Sequence, residues 1–142
     1  MSGRTIAMRF VDTNVLLYAI SSAPAEASKA GRASELLNSR DLALSVQVLQ
    51  EFYVQATRAG ATAPISPDDA LALIGSLATF PVLDITPSLM QSAIVTHRHW
   101  KIGYWDAAIV EAARALGCET ILTEDLQHGQ DFGGVHVVNP FR

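Results

Sequence analysis

Short apolar runs alternate with longer stretches of helical periodicity along this 142-residue chain, and this alternation is the feature that most constrains its fold. The short runs are predicted strands, and the stretches between them have the three- and four-residue spacing of amphipathic helices. Strands that alternate with helices form a mostly parallel sheet covered on both faces. We therefore predict an α/β fold, a three-layer α/β/α sandwich, with strands at 6–11, 42–44, 80–85, 119–123 and 135–138.

Capping residues mark the ends of the predicted helices. Ser45 and Ser66 stand in N-cap positions, and Thr86 precedes a proline at the first helical position of the next helix. Gly117 stands where the last helix should end. The predicted helices cover 13–20, 26–39, 46–59, a stretch beginning at 67, 87–100 and 104–116.

The composition indicates one globular domain covering residues 1–142. The chain is long enough to bury a core, and 49% of its residues are hydrophobic. No apolar run approaches the ~20 residues that a membrane span needs, and no signal peptide is recognisable. The single cysteine, Cys118, excludes an internal disulfide and a cysteine-based zinc cage. We therefore expect a cytoplasmic protein.

Polar side chains follow two of the predicted strands directly. Asp12, Thr13 and Asn14 come after the first strand, and Thr123 and Asp125 repeat the pattern after the fourth. The carboxyl ends of parallel strands border the crevice where open α/β sheets bind ligands. Asp12 and either Asp125 or Glu124 are therefore expected to face one crevice, although a solvated turn is the simpler explanation of the acids after the fourth strand.

Two further acids lie within predicted helices. Asp106 falls in the first turn of an apolar helix, where an acid that complements the helix dipole is common. The alanines after it favour close packing, which would turn its carboxylate toward the sheet edge. Glu51 is the only charged residue between Asp41 and Arg58 and has apolar neighbours on both sides, so little polar face remains for it.

Together, these four acids predict a cation site. Converging carboxylates repel one another, and an oxygen-rich acidic site suits Mg²⁺ or Mn²⁺. One or two such ions would promote an in-line phosphodiester displacement. The formal net charge of −4 argues against a passive basic nucleic-acid binder, but not against an enzyme that acts on nucleic acid, because bound cations reverse the local charge.

In their order and spacing, these motifs resemble the PIN domain, and the resemblance covers essentially the whole chain. It is carried by Asp12-Thr13-Asn14, Glu51, the stretch WDAAI at 105–109 and the stretch LTED at 122–125. The C-terminal stretch GGVHVVNPF resembles the closing strand of VapC-type members. The resemblance implies a Mg²⁺- or Mn²⁺-dependent endoribonuclease, the toxin of a toxin–antitoxin pair.

The resemblance also implies a role for each matching residue. Asp12 and Asp106 match the principal metal ligands, Glu51 matches a direct or water-mediated ligand, and Asp125 matches the fourth acid. The side chains that match groups orienting these carboxylates are those of Thr13, Asn14 and Thr123. Glu124 and Asp131 remain alternatives to Asp125, which we prefer because it keeps the two-residue step from Thr123.

Partners follow from the same resemblance: an RNA substrate, a cognate antitoxin protein and a second copy of the chain, with no membrane. Leu16, Leu17 and Tyr53 are candidates for packing against the antitoxin or the second copy. The basic residues of 97–101, with Trp100 and Tyr104 among them, could bind phosphates and stack bases. A solvated helix end with cations near its negative pole explains them equally well.

Two other classes of protein fit parts of the pattern. A receiver-type signalling domain also has acids at strand ends, but it would need a second acid beside Asp12 and a lysine after the last strand, where Asn139 and Pro140 stand. A phosphatase of the Asp-x-Asp kind would need an aspartate at position 14. A binding module that has the same fold but no catalysis is the remaining alternative.

Overall fold

The computed structural model describes residues 7–61 and 63–142. Within these ranges the chain forms five strands and six α-helices, and a short 3-10 turn precedes the second helix. In chain order the elements are β1 (Arg9–Val11), α1 (Thr13–Ala19), α2 (Ala27–Leu37), β2 (Leu42–Ser45), α3 (Val46–Thr57), α4 (Pro67–Leu77), β3 (Val82–Leu83), α5 (Pro87–Trp100), α6 (Tyr104–Ala115), β4 (Thr120–Leu122) and β5 (His136–Val138).

The five strands form a parallel sheet in the order β3-β2-β1-β4-β5. Phe10 of the central strand β1 pairs with Ala43 of β2 on one side and with Ile121 of β4 on the other. The chain moves outward from β1 to β3 and then crosses to β4, so the strand order reverses between β1 and β4. Ligands bind beyond the carboxyl ends of the strands at such a switch point. The predicted α/β sandwich with a parallel sheet is confirmed.

The strands lie in the middle of the core. Phe10, Leu42, Leu44 and Ile121 are each 1% exposed or less, which is the burial expected of a parallel sheet covered on both faces. Helix α6 joins this core through residues that are mostly small: Ala107, Ala108, Ile109, Val110, Ala112 and Ala113. Because small side chains allow close packing, the first turn of α6 lies close to the carboxyl edge of the sheet.

Local capping chemistry sets where the helices begin. The side chains of Ser45, Ser66 and Thr86 each accept a hydrogen bond from a backbone N–H in the first turn of α3, α4 and α5. The three predicted N-caps are therefore confirmed. Among the described helices, none has the length and apolar character needed to cross a membrane.

Several predicted ends are wrong by one to three residues. Helix α3 ends at Thr57 and not at Ala59, and α2 begins at Ala27, after a 3-10 turn over Pro24–Glu26. The third strand is only Val82–Leu83, because these are the two residues that pair with Leu44 and Ser45 of β2. The predicted first strand began at residue 6, which lies outside the described residues.

Candidate functional site: an acidic crevice at the carboxyl edge of the sheet

Asp12 lies where β1 ends and α1 begins, and it is only 5% exposed. One carboxylate oxygen accepts a hydrogen bond from the backbone N–H of Thr13 at 2.8 Å, which caps α1. The other accepts a hydrogen bond from the hydroxyl of Thr123 at 2.8 Å. Two donors from adjacent strand ends therefore hold the Asp12 carboxylate in one orientation.

Thr123 and Asn14 connect this carboxylate to Asp125. The Thr123 hydroxyl, which is fully buried, accepts hydrogen bonds from the Asn14 side-chain amide at 3.0 Å and from the backbone N–H of Asp125 at 3.0 Å. The same Asn14 amide donates to the Asp125 carboxylate at 3.1 Å. The ends of β1 and β4, 109 residues apart in sequence, thus share one network of side chains.

Glu51 enters the crevice from α3. One of its carboxylate oxygens accepts a hydrogen bond from the Thr13 hydroxyl at 2.9 Å, and the other accepts one from the side-chain amide of Gln47 at 2.9 Å. Gln47 also donates to the backbone carbonyl of Trp105 at 3.4 Å, which links α3 to the first turn of α6. Sequence reasoning missed Gln47; its position four residues before Glu51, on the same helix face, was the available signal.

Asp106 completes the set from the first turn of α6. Within the described residues, its carboxylate has neither a hydrogen-bond donor nor an ion-pair partner. Burial raises the pKa of this carboxyl, and the charges of Asp125 and Glu51 raise it further. An acid that merely complemented a helix dipole would not lie in the field of two other carboxylates.

The same two acids act on Asp12. Burial is the largest cause that raises the pKa of Asp12 to about 6; the charges of Asp125 and Glu51 add to it, while the hydrogen bonds from Thr123 and Thr13 oppose it. Asp12 and Asp106 therefore experience the same pair of neighbouring charges. The four acids singled out from the sequence lie around one crevice, although they come from four different elements or loops.

The two alternative acids after β4 are engaged elsewhere. The Glu124 carboxylate forms an ion pair with Lys29 at 2.9 Å and accepts a hydrogen bond from the Tyr18 hydroxyl. Burial alone would raise the pKa of Glu124, but these two hydrogen bonds outweigh it and lower that pKa. Asp131 accepts a hydrogen bond from the backbone of a nearby glycine at 2.7 Å and so stabilises a turn.

The donor atoms of this crevice are carboxylate oxygens, the type that a hard divalent cation prefers. A cation would stabilise Asp12 and Asp106, whose pKa values are raised by burial and by neighbouring carboxylates, and no salt bridge within the described residues involves any of the four acids. Across 7–61 and 63–142, however, no three acidic, histidine or cysteine side chains stand close enough to surround a metal ion. Glu51 and Asp125 are instead turned toward uncharged donors. The donor chemistry suits Mg²⁺ or Mn²⁺.

The predicted partner-contact residues differ in their exposure. Leu16 was wrongly predicted, because it is 1% exposed and belongs to the core. Leu17 is partly buried against that core, whereas Tyr53 is 39% exposed. Tyr53 and Val54, which is 62% exposed, line one apolar groove with Leu49 and Ile74. Tyr53 and Val54 are the better candidates for a partner surface.

The fold and the crevice together define an α/β protein with acids gathered at the topological switch point of its sheet. Residues 9–130 match the model of the PIN domain family, so this chain belongs to the PIN domain family, as the four motifs predicted. No match was found among curated protein sequences.

Solved structures of similar fold include toxins of toxin–antitoxin pairs. A toxin–antitoxin complex from Klebsiella pneumoniae is 21% identical, covers 93% of this chain and 97% of its own, and has a TM-score of 0.67. VapC20 of Mycobacterium tuberculosis, described as a sarcin-ricin loop cleaving toxin, is 22% identical, with coverages of 82% and 91% and a TM-score of 0.63. DNA-bound VapBC from Salmonella typhimurium is 20% identical, with coverages of 93% and 97% and a TM-score of 0.64. At these identities the likeness shows the fold.

Proposed function

We propose that this chain is a Mg²⁺- or Mn²⁺-dependent endoribonuclease, the toxin component of a VapBC-like toxin–antitoxin pair acting in the cytoplasm. One observation carries the proposal. The Asp12 carboxylate is joined to that of Asp125 through Thr123 and Asn14 and to that of Glu51 through Thr13, and Asp106 lies in the field of Glu51 and Asp125. Carboxylates gathered in this way repel one another, and a divalent cation offsets that repulsion.

The proposed chemistry divides between the cation and the side chains of this chain. When bound, the cation supplies Lewis acidity, which lowers the pKa of an attacking water and offsets charge on the phosphoryl oxygens. Asp12, Glu51, Asp106 and Asp125 would hold it. Thr123 and Thr13 orient carboxylates through their hydroxyl groups, as Asn14 does through its amide, and fixed donors of this kind keep ligand oxygens aimed in one direction.

The proposed partners are an RNA substrate, a cognate antitoxin and a second copy of the chain. The structural neighbours support the antitoxin, because several are complexes of a toxin with its antitoxin. The exposed apolar side chains of Tyr53 and Val54, which line one groove, offer a surface for a protein partner. An antitoxin arginine that reached the acidic crevice would compete with the cation and hold the enzyme inactive.

Cleavage of RNA by the purified chain tests this proposal. We expect Mg²⁺- or Mn²⁺-dependent cleavage that EDTA abolishes, and loss of cleavage in the folded Asp12→Asn and Asp106→Asn variants. Asp84→Asn is the matched control, since Asp84 is an exposed acid that follows strand β3 at the same edge of the sheet. Retained cleavage in both crevice variants would refute the proposed site. RNA binding without cleavage by the wild type would favour a non-catalytic binding module.

A further inference from the structure

Trp105 is unusually exposed for a tryptophan and stands directly beside the acidic crevice. Its side chain is 67% exposed, in the first turn of α6 and one residue before Asp106. Tryptophan is highly buried on average, so a large exposed indole at the rim of a site calls for a partner. The other tryptophan of the chain, Trp100, is only 37% exposed and packs edge-on against Phe132 at 5.3 Å.

Three features hold Trp105 in place without covering it. The ring of Tyr104 packs edge-to-face against the indole, with centroids 5.0 Å apart and planes at 80°. Gln47, which also binds Glu51, donates a hydrogen bond to the Trp105 carbonyl at 3.4 Å. Lys101 adopts a left-handed conformation, with φ of 55°, and so turns the chain sharply between α5 and α6. The indole is therefore presented from a rigid helix start and in fixed relation to the crevice.

The charge of this chain limits how it can attract a polyanion. The net charge is −4, and the crevice itself gathers four carboxylates, so the phosphates of a substrate strand meet repulsion wherever cations do not neutralise the site. Contacts that do not depend on charge would therefore add to the affinity without this repulsion. Stacking of a nucleobase on an aromatic side chain is such a contact, and it requires bases that are already unstacked, as in single-stranded RNA.

We propose that Trp105 is a stacking platform for one nucleobase of single-stranded RNA, adjacent to the phosphate that the crevice cleaves. This inference rests on the proposed ribonuclease function and names the contact that selects unpaired substrate at the same site. Trp105 is thus a binding residue, while Asp106, the next residue, is an acid of the crevice. The neighbouring Tyr104 supports the indole rather than the base.

Fluorescence tests the contact without requiring cleavage. The chain has two tryptophans, so Trp100→Phe combined with Asp12→Asn leaves Trp105 as the only tryptophan, which can be excited selectively, in a protein that should not cut its ligand. A 12-nucleotide oligoadenylate should quench this fluorescence in saturable fashion. An abasic strand with the same number of phosphates should not. Equal quenching by both strands, or no binding of oligoadenylate, would overturn the proposal.

Affinity measurements separate stacking from charge. By anisotropy of a labelled oligoadenylate, Trp105→Ala in the Asp12→Asn background should weaken binding roughly 5- to 150-fold, with the salt dependence of the Kd unchanged. Trp105→Phe should recover most of the loss. Leu71→Ala is the matched control, because Leu71 is 65% exposed and lies on α4, outside the crevice. Unchanged affinity in Trp105→Ala would refute the platform.

Kinetics distinguish the failure of this inference from failure of the proposed function. If the wild type cleaves RNA, Trp105→Ala should raise the KM for single-stranded oligonucleotides more than it lowers kcat, and an unchanged KM would refute the platform alone. If the wild type cleaves no RNA, the ribonuclease proposal fails, whatever the fluorescence shows.

Light scattering gives the oligomeric state of each variant. A change of oligomeric state in Trp105→Ala would assign the indole to an interface between two copies and overturn the proposal.

Discussion

Replacing Asp12 by asparagine should stabilise the metal-free protein while abolishing its cleavage of RNA. The pKa of Asp12 rises from 3.8 to about 6 on folding, so the folded state binds this proton more tightly than the unfolded chain does. Well below pH 3.8 the carboxyl is protonated in both states and costs nothing. Between pH 4 and 6 the free energy of unfolding falls as the pH rises, and above pH 6 the full cost of the buried charge persists.

The magnitude follows from the difference between the two pKa values. Raising the pKa of Asp12 from 3.8 to about 6 lowers the free energy of unfolding at neutral pH by about 3 kcal/mol. Asparagine avoids that cost and retains an acceptor for the backbone N–H of Thr13. The Thr123 hydroxyl, however, loses its charged acceptor, and this loss lowers the free energy of unfolding by about 1 kcal/mol. The expected net gain is about 2 kcal/mol, or about 6–8 °C in the melting temperature of a chain of this size.

Thermal and urea unfolding in EDTA, from pH 3.5 to 8, measure this gain. The difference between Asp12→Asn and wild type should be small below pH 4, should grow to pH 6 and should then stay constant. Asp84→Asn, at an exposed strand-end acid, is the control and should follow the wild type throughout. A variant that is less stable than wild type at pH 7, or a difference independent of pH, would refute the reasoning.

Adding a cation should reverse the order of the two proteins. A ligand that binds only the folded state stabilises it by RT ln(1 + [L]/Kd). Millimolar Mg²⁺ or Mn²⁺ should therefore raise the melting temperature of the wild type and have a smaller effect on Asp12→Asn. An equal effect on both proteins would mean that Asp12 is not a ligand.

Three further outcomes are expected. Thr123→Val should weaken Mn²⁺ binding roughly 10- to 100-fold, because the Asp12 carboxylate loses an orienting donor. Thr123→Ser, which keeps the hydroxyl group, should restore the binding. Calorimetry of the folded variants measures both affinities. Asp41 forms a bidentate pair with Arg9, whose guanidinium lowers the pKa of Asp41. This pair adds up to about 1 kcal/mol to the free energy of unfolding. That contribution is present above the unfolded pKa of 3.8 and is lost as the pH falls through the lower pKa of the folded state. Urea unfolding of Asp41→Asn between pH 2 and 7 should lose that part of the pH dependence and no other. Phe52→Ala should lower the free energy of unfolding by about 3–5 kcal/mol, because Phe52 is 1% exposed and its removal leaves a cavity. Urea unfolding measures this change, and an effect below about 1 kcal/mol would contradict the placement of Phe52 in the core.

Local chemistry made much of the fold predictable from sequence. Ser45, Ser66 and Thr86 cap the helices that their positions indicated, because an N-cap interaction spans only three residues. The strand ends were less predictable, because a residue belongs to a strand only if a neighbouring strand pairs with it. Phe80, for example, is apolar and packs against the core but lies outside β3.

The position of Asp12 at the edge of the sheet was predictable, but the contacts that orient the nearby carboxylates were not. Asp12 could be placed by its strand end, since parallel strands share a carboxyl edge. The hydrogen bond from Gln47 to the Trp105 carbonyl and the pair of Lys29 with Glu124 could not, because these contacts depend on how distant segments pack together. The same packing buried Leu16, which the sequence had suggested as a partner contact.

By itself, the sequence determined the succession of strands and helices, the helix starts and the identity of four acids in PIN-like order. The tertiary structure alone decided that β4 lies beside β1, that the carboxylate of Asp125 and not that of Glu124 binds the Asn14 amide, and that the Trp105 indole is left in solvent. The physical reason is the distance along the chain over which each interaction acts. Capping and periodicity act within one or two turns of chain, whereas the electrostatics of the crevice arise between residues about 40 to 110 positions apart, and the fold alone sets their distances.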